Sequence, residues 1–271
     1  MLGHDVTRRL ELLKIPYRSP SRKELDITDS QALESFFQSM RPDAVLHCAA
    51  YTAVDRAEEE REECFAVNSA ATEHLARCCA ETDAKLVYIS TDYVFDGRLD
   101  RPYEVTDTQN PINSYGVSKY DGERAVQKWL ERYFIVRVSW LFGEHGNHFV
   151  SKIRSLAKER EEISVVADQI GSPAYTADLA VLLANMIQSE KYGIYHATNE
   201  GFCSWYDFAR DIIEMEGSET RVKGVSSLQY PTRAKRPQNS RLSKKSLDEA
   251  GFTRLPHYRD ALARYLHAAT A

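Results

Sequence analysis

Apolar and polar positions along this chain fall into alternating helical and strand-like blocks. Leu2 to Leu13 has helical spacing, and Ile15-Pro16-Tyr17 reads as a short strand. Thr28 to Ser39 predicts a second helix, with Thr28 as cap ahead of Leu33, Phe36 and Phe37. Ala44-Val45-Leu46-His47-Cys48 is a strand, and Glu62 to Glu81 a long helix. Lys85-Leu86-Val87-Tyr88-Ile89 is a continuous apolar run, the mark of a parallel strand buried on both faces. A helix opening near Ser114 continues through Ala125, Val126, Trp129 and Leu130, and Phe134-Ile135-Val136-Arg137-Val138 is the next strand.

Repeated β-α-β units imply a parallel sheet with helices on both faces, an α/β doubly wound fold of the Rossmann type. After about residue 145 the rhythm loosens. Helices at Phe149 to Lys158, Thr176 to Ser189, Ser204 to Glu216 and Pro256 to His267 surround a short strand, Ile163 to Val166, and a Gly171-Ser172-Pro173 loop. The division expected is a dinucleotide-binding domain over 1–145, taking in also about 174–200. A smaller C-terminal substrate-binding domain is then built from 146–173 and 201–271. Within it, Tyr230 to Ser243 is rich in Arg, Lys and Pro. It is either a solvated linker or a place where Arg233, Lys235 and Arg236 meet an anionic ligand.

A dinucleotide-binding fold begins with an apolar strand and a glycine-rich turn that cradles the pyrophosphate. Here Met1-Leu2-Gly3-His4 is already helical in pattern, and Gly3 reads as the last glycine of such a turn. The expectation is that the first strand and the first two glycines are missing from the 271 residues, and that strands near Tyr17 and Leu46 lack their central neighbour.

Composition narrows the function classes. A hydrophobic fraction of 43% and a charged fraction of 28% are those of a globular protein. A net charge of −5 supplies no field for nucleic acid, and no run of 18 apolar residues could span a membrane. The N-terminus lacks a signal-peptide pattern. Five cysteines, an odd number in apolar settings, read as reduced core thiols of a cytoplasmic protein. His145 and His148 are close-set but lack a Cys or carboxylate partner at ligand spacing, so no metal is expected.

The chemistry gathers at Ser90-Thr91-Asp92-Tyr93-Val94-Phe95 and Ser114-Tyr115-Gly116-Val117-Ser118-Lys119. Tyr115 and Lys119, four residues apart, share one helix face. An ammonium beside a phenol lowers the phenol's pKa, which suits a proton donor to a carbonyl. A hydroxyl from the strand end, Ser90 or Thr91, could hold the same oxygen. With a nicotinamide opposite, such a site reduces ketones.

At these residues the chain closely resembles the dTDP-4-dehydrorhamnose reductases, members of the extended short-chain dehydrogenase/reductase superfamily. Further matches are Leu25-Asp26-Ile27-Thr28-Asp29, Ala49 to Asp55, Val67-Asn68, Val138-Ser139-Trp140, Gly143 to Asn147, Asp168 to Pro173 and Arg236 to Ser240. The resemblance implies Thr91, Tyr115 and Lys119 as the catalytic set. It implies Gly3, Asp26, Ile27, Ala49, Ala50, Tyr51 and Ser90 along the cofactor, with Lys119 on the nicotinamide ribose. Thr52, Val54, Tyr93, Trp140 and Asn147 fall on the substrate side, and Arg236 at the nucleotide diphosphate. His148 stands where the family usually repeats Asn.

The function expected is reduction of the 4-keto group of dTDP-4-dehydro-β-L-rhamnose by NADPH or NADH. Arg18 and Arg22 could meet the 2′-phosphate of NADPH, or could be plain surface charge; NADPH is favoured. A homodimer is possible. Two rivals stand beside this reading. One is a nucleotide-sugar epimerase or dehydratase; dehydration is disfavoured by Tyr93, where dehydratases of the superfamily place a Glu. The other is a non-catalytic nucleotide-binding regulatory subunit, against which the retained Thr91, Tyr115 and Lys119 argue.

Overall fold

The computed structural model describes residues 1–268. Helix α1 (Leu2–Leu12) opens the chain, followed by α2 (Ser30–Met40) and strand β1 (Ala44–His47). The long helix expected over Glu62 to Glu81 is divided into α3 (Arg61–Phe65), a π-helical turn (Ala66–Ala70) and α4 (Ala71–Thr82). Then come β2 (Lys85–Thr91), α5 (Ser114–Trp129) and β3 (Tyr133–Val138). The C-terminal half carries β4 (Leu141–Phe142), α6 (Phe149–Ala157), β5 (Glu162–Val166), β6 (Ile170–Gly171), β7 (Ala174–Tyr175), α7 (Thr176–Ile187) and β8 (Gly193–His196). It closes with β9 (Asn199–Glu200), β10 (Cys203–Ser204), α8 (Trp205–Met215), β11 (Arg221–Val225), α9 (Lys245–Glu249), β12 (Leu255–His257) and α10 (Tyr258–Ala268).

The central sheet is parallel, in the order β1-β2-β3-β8. One face packs on α1 and α7 through Leu2, Val6, Leu10, Leu179 and Leu183. The other packs on α2, α4 and α5 through Leu33, Phe37, Leu75 and Val126. Burial on both faces explains why Leu86, Val87 and Tyr88 form an unbroken apolar run. A second core joins α6, α8 and α10 to β5 and β11, which pair in parallel.

Two local expectations are corrected. Ile15-Pro16-Tyr17 forms no strand. Pro16 has no N–H to donate, and no strand among the described residues pairs with the outer side of β1, where a ladder would have to continue. Helix α2 is capped by Asp29, not Thr28. The Asp29 carboxylate accepts from Ala32 N at 3.0 Å, while Thr28 is held in a turn closed by the Asp26 side chain.

Candidate functional site

The site is built where the C-terminal end of β2 meets the first turns of α5. Asn113 caps α5, accepting from Gly116 N at 2.7 Å and donating its amide to Lys235 O at 2.8 Å, so the helix start is tied to the C-terminal segment. Glycine at 116 is required by contact: a Cβ there would lie 2.2 Å from the Tyr93 carbonyl oxygen. Gly122 similarly admits the Tyr88 hydroxyl, which a Cβ would meet at 2.2 Å. These two approaches press α5 onto β2 and turn Tyr115, Lys119 and Glu123 toward the strand end.

Glu123 and Arg137 form a fully enclosed ion pair, with side chains 2% and 0% exposed. The guanidinium donates to both carboxylate oxygens, at 2.9 and 2.7 Å, and Ser90 Oγ donates to Glu123 Oε1 at 2.5 Å. Arg137 also donates to Val105 O at 3.3 Å and lies 3.3 Å from His196 Nε2. Ser90, expected along the cofactor, thus also anchors the strand end through its hydroxyl. Sequence reasoning named neither Glu123 nor Arg137 as a site residue. The signal was available: Glu123 continues the four-residue spacing of Tyr115 and Lys119.

Lys119 is 2% exposed, its ammonium 4.0 Å from the centre of the Tyr88 ring, with no carboxylate partner among the described residues. Burial pushes its pKa down to about 7, against the pull of Glu123. Burial, with the Asp92 charge second, raises that of Tyr115 above the usual phenol value, the facing Thr91 hydroxyl pulling the other way. The expected lowering of the phenol by the ammonium is thus absent from the ligand-free fold. Desolvation outweighs charge pairing and keeps Tyr115 protonated, which is the form a proton donor requires. Thr91 Oγ1 donates to Asp92 Oδ1 at 2.9 Å and accepts from Tyr93 N at 3.2 Å. Tyr93 meets Tyr115 edge-on, ring centres 6.0 Å apart.

The loop after β1 carries the expected cofactor positions Ala49, Ala50 and Tyr51. Asn68, presented by the π-helical turn, staples this loop: its side chain accepts from Tyr51 N at 2.8 Å and donates to Tyr51 O at 3.0 Å and to Ser118 Oγ at 3.0 Å. Extra turns of this kind recur at functional sites. Gly3 approaches Cys48 at the end of β1, and α1 begins without a side-chain cap. No side chain claims its first amides, and a helix N-terminus of this kind suits an anionic group. Together with the unpartnered buried Lys119 ammonium, they fit a dinucleotide lying along Gly3, Tyr51 and Lys119. Asp26 and Ile27 are half-buried farther out, and the Asp26 carboxylate accepts from Thr28 and pairs with Arg22 at 3.5 Å.

On the substrate side, a cleft of about 810 Å³ opens between the Asp96–Asp100 loop and the Tyr230–Asn239 segment, with Arg236 and Gln169 on its wall. Arg236 is not a free cation. It holds Asp55 in a fork at 2.9 and 2.7 Å, and so clasps the loop after β1 to the C-terminal segment. Arg236 also faces the Tyr93 phenol, whose pKa burial raises. Trp140 has a positive φ of 48° and stacks on Trp205 with ring centres 3.5 Å apart. Gly171 is required beneath it, since a Cβ would sit 2.7 Å from the indole. Val54 is half-buried, while Thr52 and Asn147 are exposed. Asn147 does not cap α6: His148 does, its imidazole accepting from Ser151 N at 3.4 Å.

A family model described as RmlD substrate binding domain matches residues 1–271. The chain is 37% identical over 265 residues to the spore coat polysaccharide biosynthesis protein SpsK of Bacillus subtilis, covering 98% of this chain and 93% of that one. It is 38% identical over 254 residues to a dTDP-4-dehydrorhamnose reductase of Aggregatibacter actinomycetemcomitans, covering 89% and 85%. A crystal structure of the Bacillus anthracis dTDP-4-dehydrorhamnose reductase in complex with NADP superposes with a TM-score of 0.96 at 42% identity, covering 98% of this chain and 95% of that one. A tyrosine–lysine helix laid on a Thr-Asp strand end, matched from Met1 to Ala271, places this chain in the RmlD substrate binding domain family.

Proposed function

We propose that this protein reduces the 4-keto group of dTDP-4-dehydro-β-L-rhamnose to give dTDP-L-rhamnose, with NADPH or NADH as the reductant. The observation that carries the reading is the meeting of Thr91, a protonated Tyr115 and a buried, unpartnered Lys119 at one strand end. The reduced nicotinamide, when bound, supplies the hydride. Gly3, Ala49, Ala50, Tyr51 and Lys119 would hold the dinucleotide, and Lys119 would take its ribose hydroxyls as acceptors. Tyr115 gives its phenolic proton to the carbonyl oxygen. Thr91 hydrogen-bonds that oxygen as charge builds on it, an interaction strongest in the transition state. Tyr93 and Trp140 would flank the sugar, and the cleft beside Arg236 would take the nucleotide.

The reading is tested by following NADPH oxidation with the keto-sugar present, in the parent and in Tyr115→Phe. The parent should turn over, and the variant should lose about 10²-fold or more in kcat with cofactor affinity nearly unchanged. Turnover of the variant within about threefold of the parent would remove Tyr115 from the chemistry.

A further inference from the structure

Thr91 has one proton to give, and in this structure it is already given. The hydroxyl donates to Asp92 Oδ1 at 2.9 Å and one of its lone pairs receives Tyr93 N–H at 3.2 Å. A hydroxyl so engaged has no hydrogen left for a substrate oxygen. Asp92 itself is 4% exposed, and its second oxygen, Oδ2, is buried with no hydrogen-bond partner. No cation pairs with it among the described residues. The groups around it are Thr91 and Tyr93 on its own segment, the Tyr115 phenol from α5, and Ser240 from the C-terminal segment, with Arg236 one layer behind against Tyr93.

We infer that Asp92 is a positioning residue that sets the direction of the Thr91 hydrogen bond, Thr91 being able to donate to the sugar carbonyl only when Asp92 carries a proton. A protonated carboxyl donates to Thr91 Oγ1 through its own O–H, and the Thr91 proton is released toward the substrate. An ionised carboxylate, being acceptor-only, recaptures it. No covalent bond changes at Asp92, which keeps its proton while Tyr115 supplies the one consumed. Burial supports the assignment, pushing the Asp92 pKa up to about 6, so that both states are reachable near neutrality. The inference rests on the reductase reading for its substrate but not for its chemistry, and two measurements separate them.

In the first, kcat/KM of the parent should fall with rising pH between about 5 and 8. Asp92→Asn, whose amide can donate to Thr91 at every pH, should move the midpoint of that limb up from near 6 to near 7, where Lys119 loses its proton, and stay within about threefold of the parent at its acid end. A parent profile flat over this range, or a limb whose midpoint Asp92→Asn leaves near 6, overturns the inference. The second needs neither substrate nor cofactor. With carboxyl-¹³C aspartate in the parent chain, one resonance should titrate near pH 6. Thr91→Val, which removes the donor to the carboxylate, should move that titration upward. A titration in the ordinary carboxylate range near 4, or one that Thr91→Val leaves in place, overturns the inference even if Asp92→Asn fails to fold. A shifted titration in a preparation that reduces no keto-sugar sustains the coupling and counts against the reductase reading alone.

Discussion

Glu123→Gln should be among the most damaging single-atom changes in this protein. The carboxylate is sealed between Arg137, which donates to both of its oxygens, and Ser90, and neither member of the ion pair reaches water. Replacing one oxygen by an amide nitrogen removes the counter-charge from a guanidinium that cannot lose its proton, and sets N–H against N–H. Breaking one side of a buried pair costs about 3–5 kcal/mol, against a total stability of about 5–15 kcal/mol. At about 2–4 °C per kcal/mol for a chain of this size, the thermal midpoint should fall by about 6–20 °C. Urea unfolding followed by circular dichroism gives the free energy directly. The same measurement on Arg137→Met and on the double variant Glu123→Gln/Arg137→Met tests the cause. Removing both charges should recover more than half of the single-variant loss, a coupling of about 1.5 kcal/mol or more. A loss below about 1 kcal/mol for Glu123→Gln, or strictly additive effects, would refute the assignment of this pair as the anchor of the strand end.

Three further outcomes are expected. Lys119→Met should lower kcat/KM about 10²-fold or more and weaken NADPH binding, yet raise the thermal midpoint, because a desolvated ammonium without a counter-ion is exchanged for an apolar chain; a lower midpoint would contradict the burial argument. Gly116→Ala should cost about 1–3 kcal/mol and reduce turnover, since its Cβ would force α5 away from Tyr93; unchanged turnover in activity assays would show that the approach of α5 is not needed. His47 is held neutral, with its pKa pushed down to about 3 by burial and by Lys119, whereas the unfolded chain protonates it near 6.5. Its contribution is full above about pH 6.5 and is lost as pH falls toward 3, at about 1.4 kcal/mol per pH unit; His47→Gln should flatten the acid limb of stability measured by urea unfolding by that slope.

Much of this was legible in the chain. Strands buried on both faces announce themselves as apolar runs, so β2 and β3 and their order with the helices followed from pattern alone, and Tyr115, Lys119 and Thr91 were readable from spacing beside a strand end. What was not legible depends on distant partners. Ile15-Pro16-Tyr17 has strand composition but no neighbour to pair with, and pairing is not a local property. Arg236 looks like a free anion receptor until the fold brings Asp55 against it. The pKa direction of Tyr115 reverses the local argument because burial, followed by the Asp92 charge, dominates where it lies, and burial likewise pushes Lys119 down. Asn68 is an ordinary polar residue within a helical pattern, and only the π-helical turn aims it at Tyr51.

The stacked indoles have a practical consequence. The chain has 3 tryptophans, and two of them, Trp140 just after β3 and Trp205 at the start of α8, lie face to face across the joint between the central sheet and the C-terminal core. Two such chromophores 3.5 Å apart couple their transitions, while Trp129 at the end of α5 has no aromatic neighbour among the described residues, lying under Arg77 and Lys128 and donating to Glu73. The molecule therefore carries its own spectroscopic gauge. Any ligand that pries Trp140 from Trp205, or presses the two closer, should write its arrival into the near-ultraviolet circular dichroism and the emission of this pair, with no label attached and no turnover required.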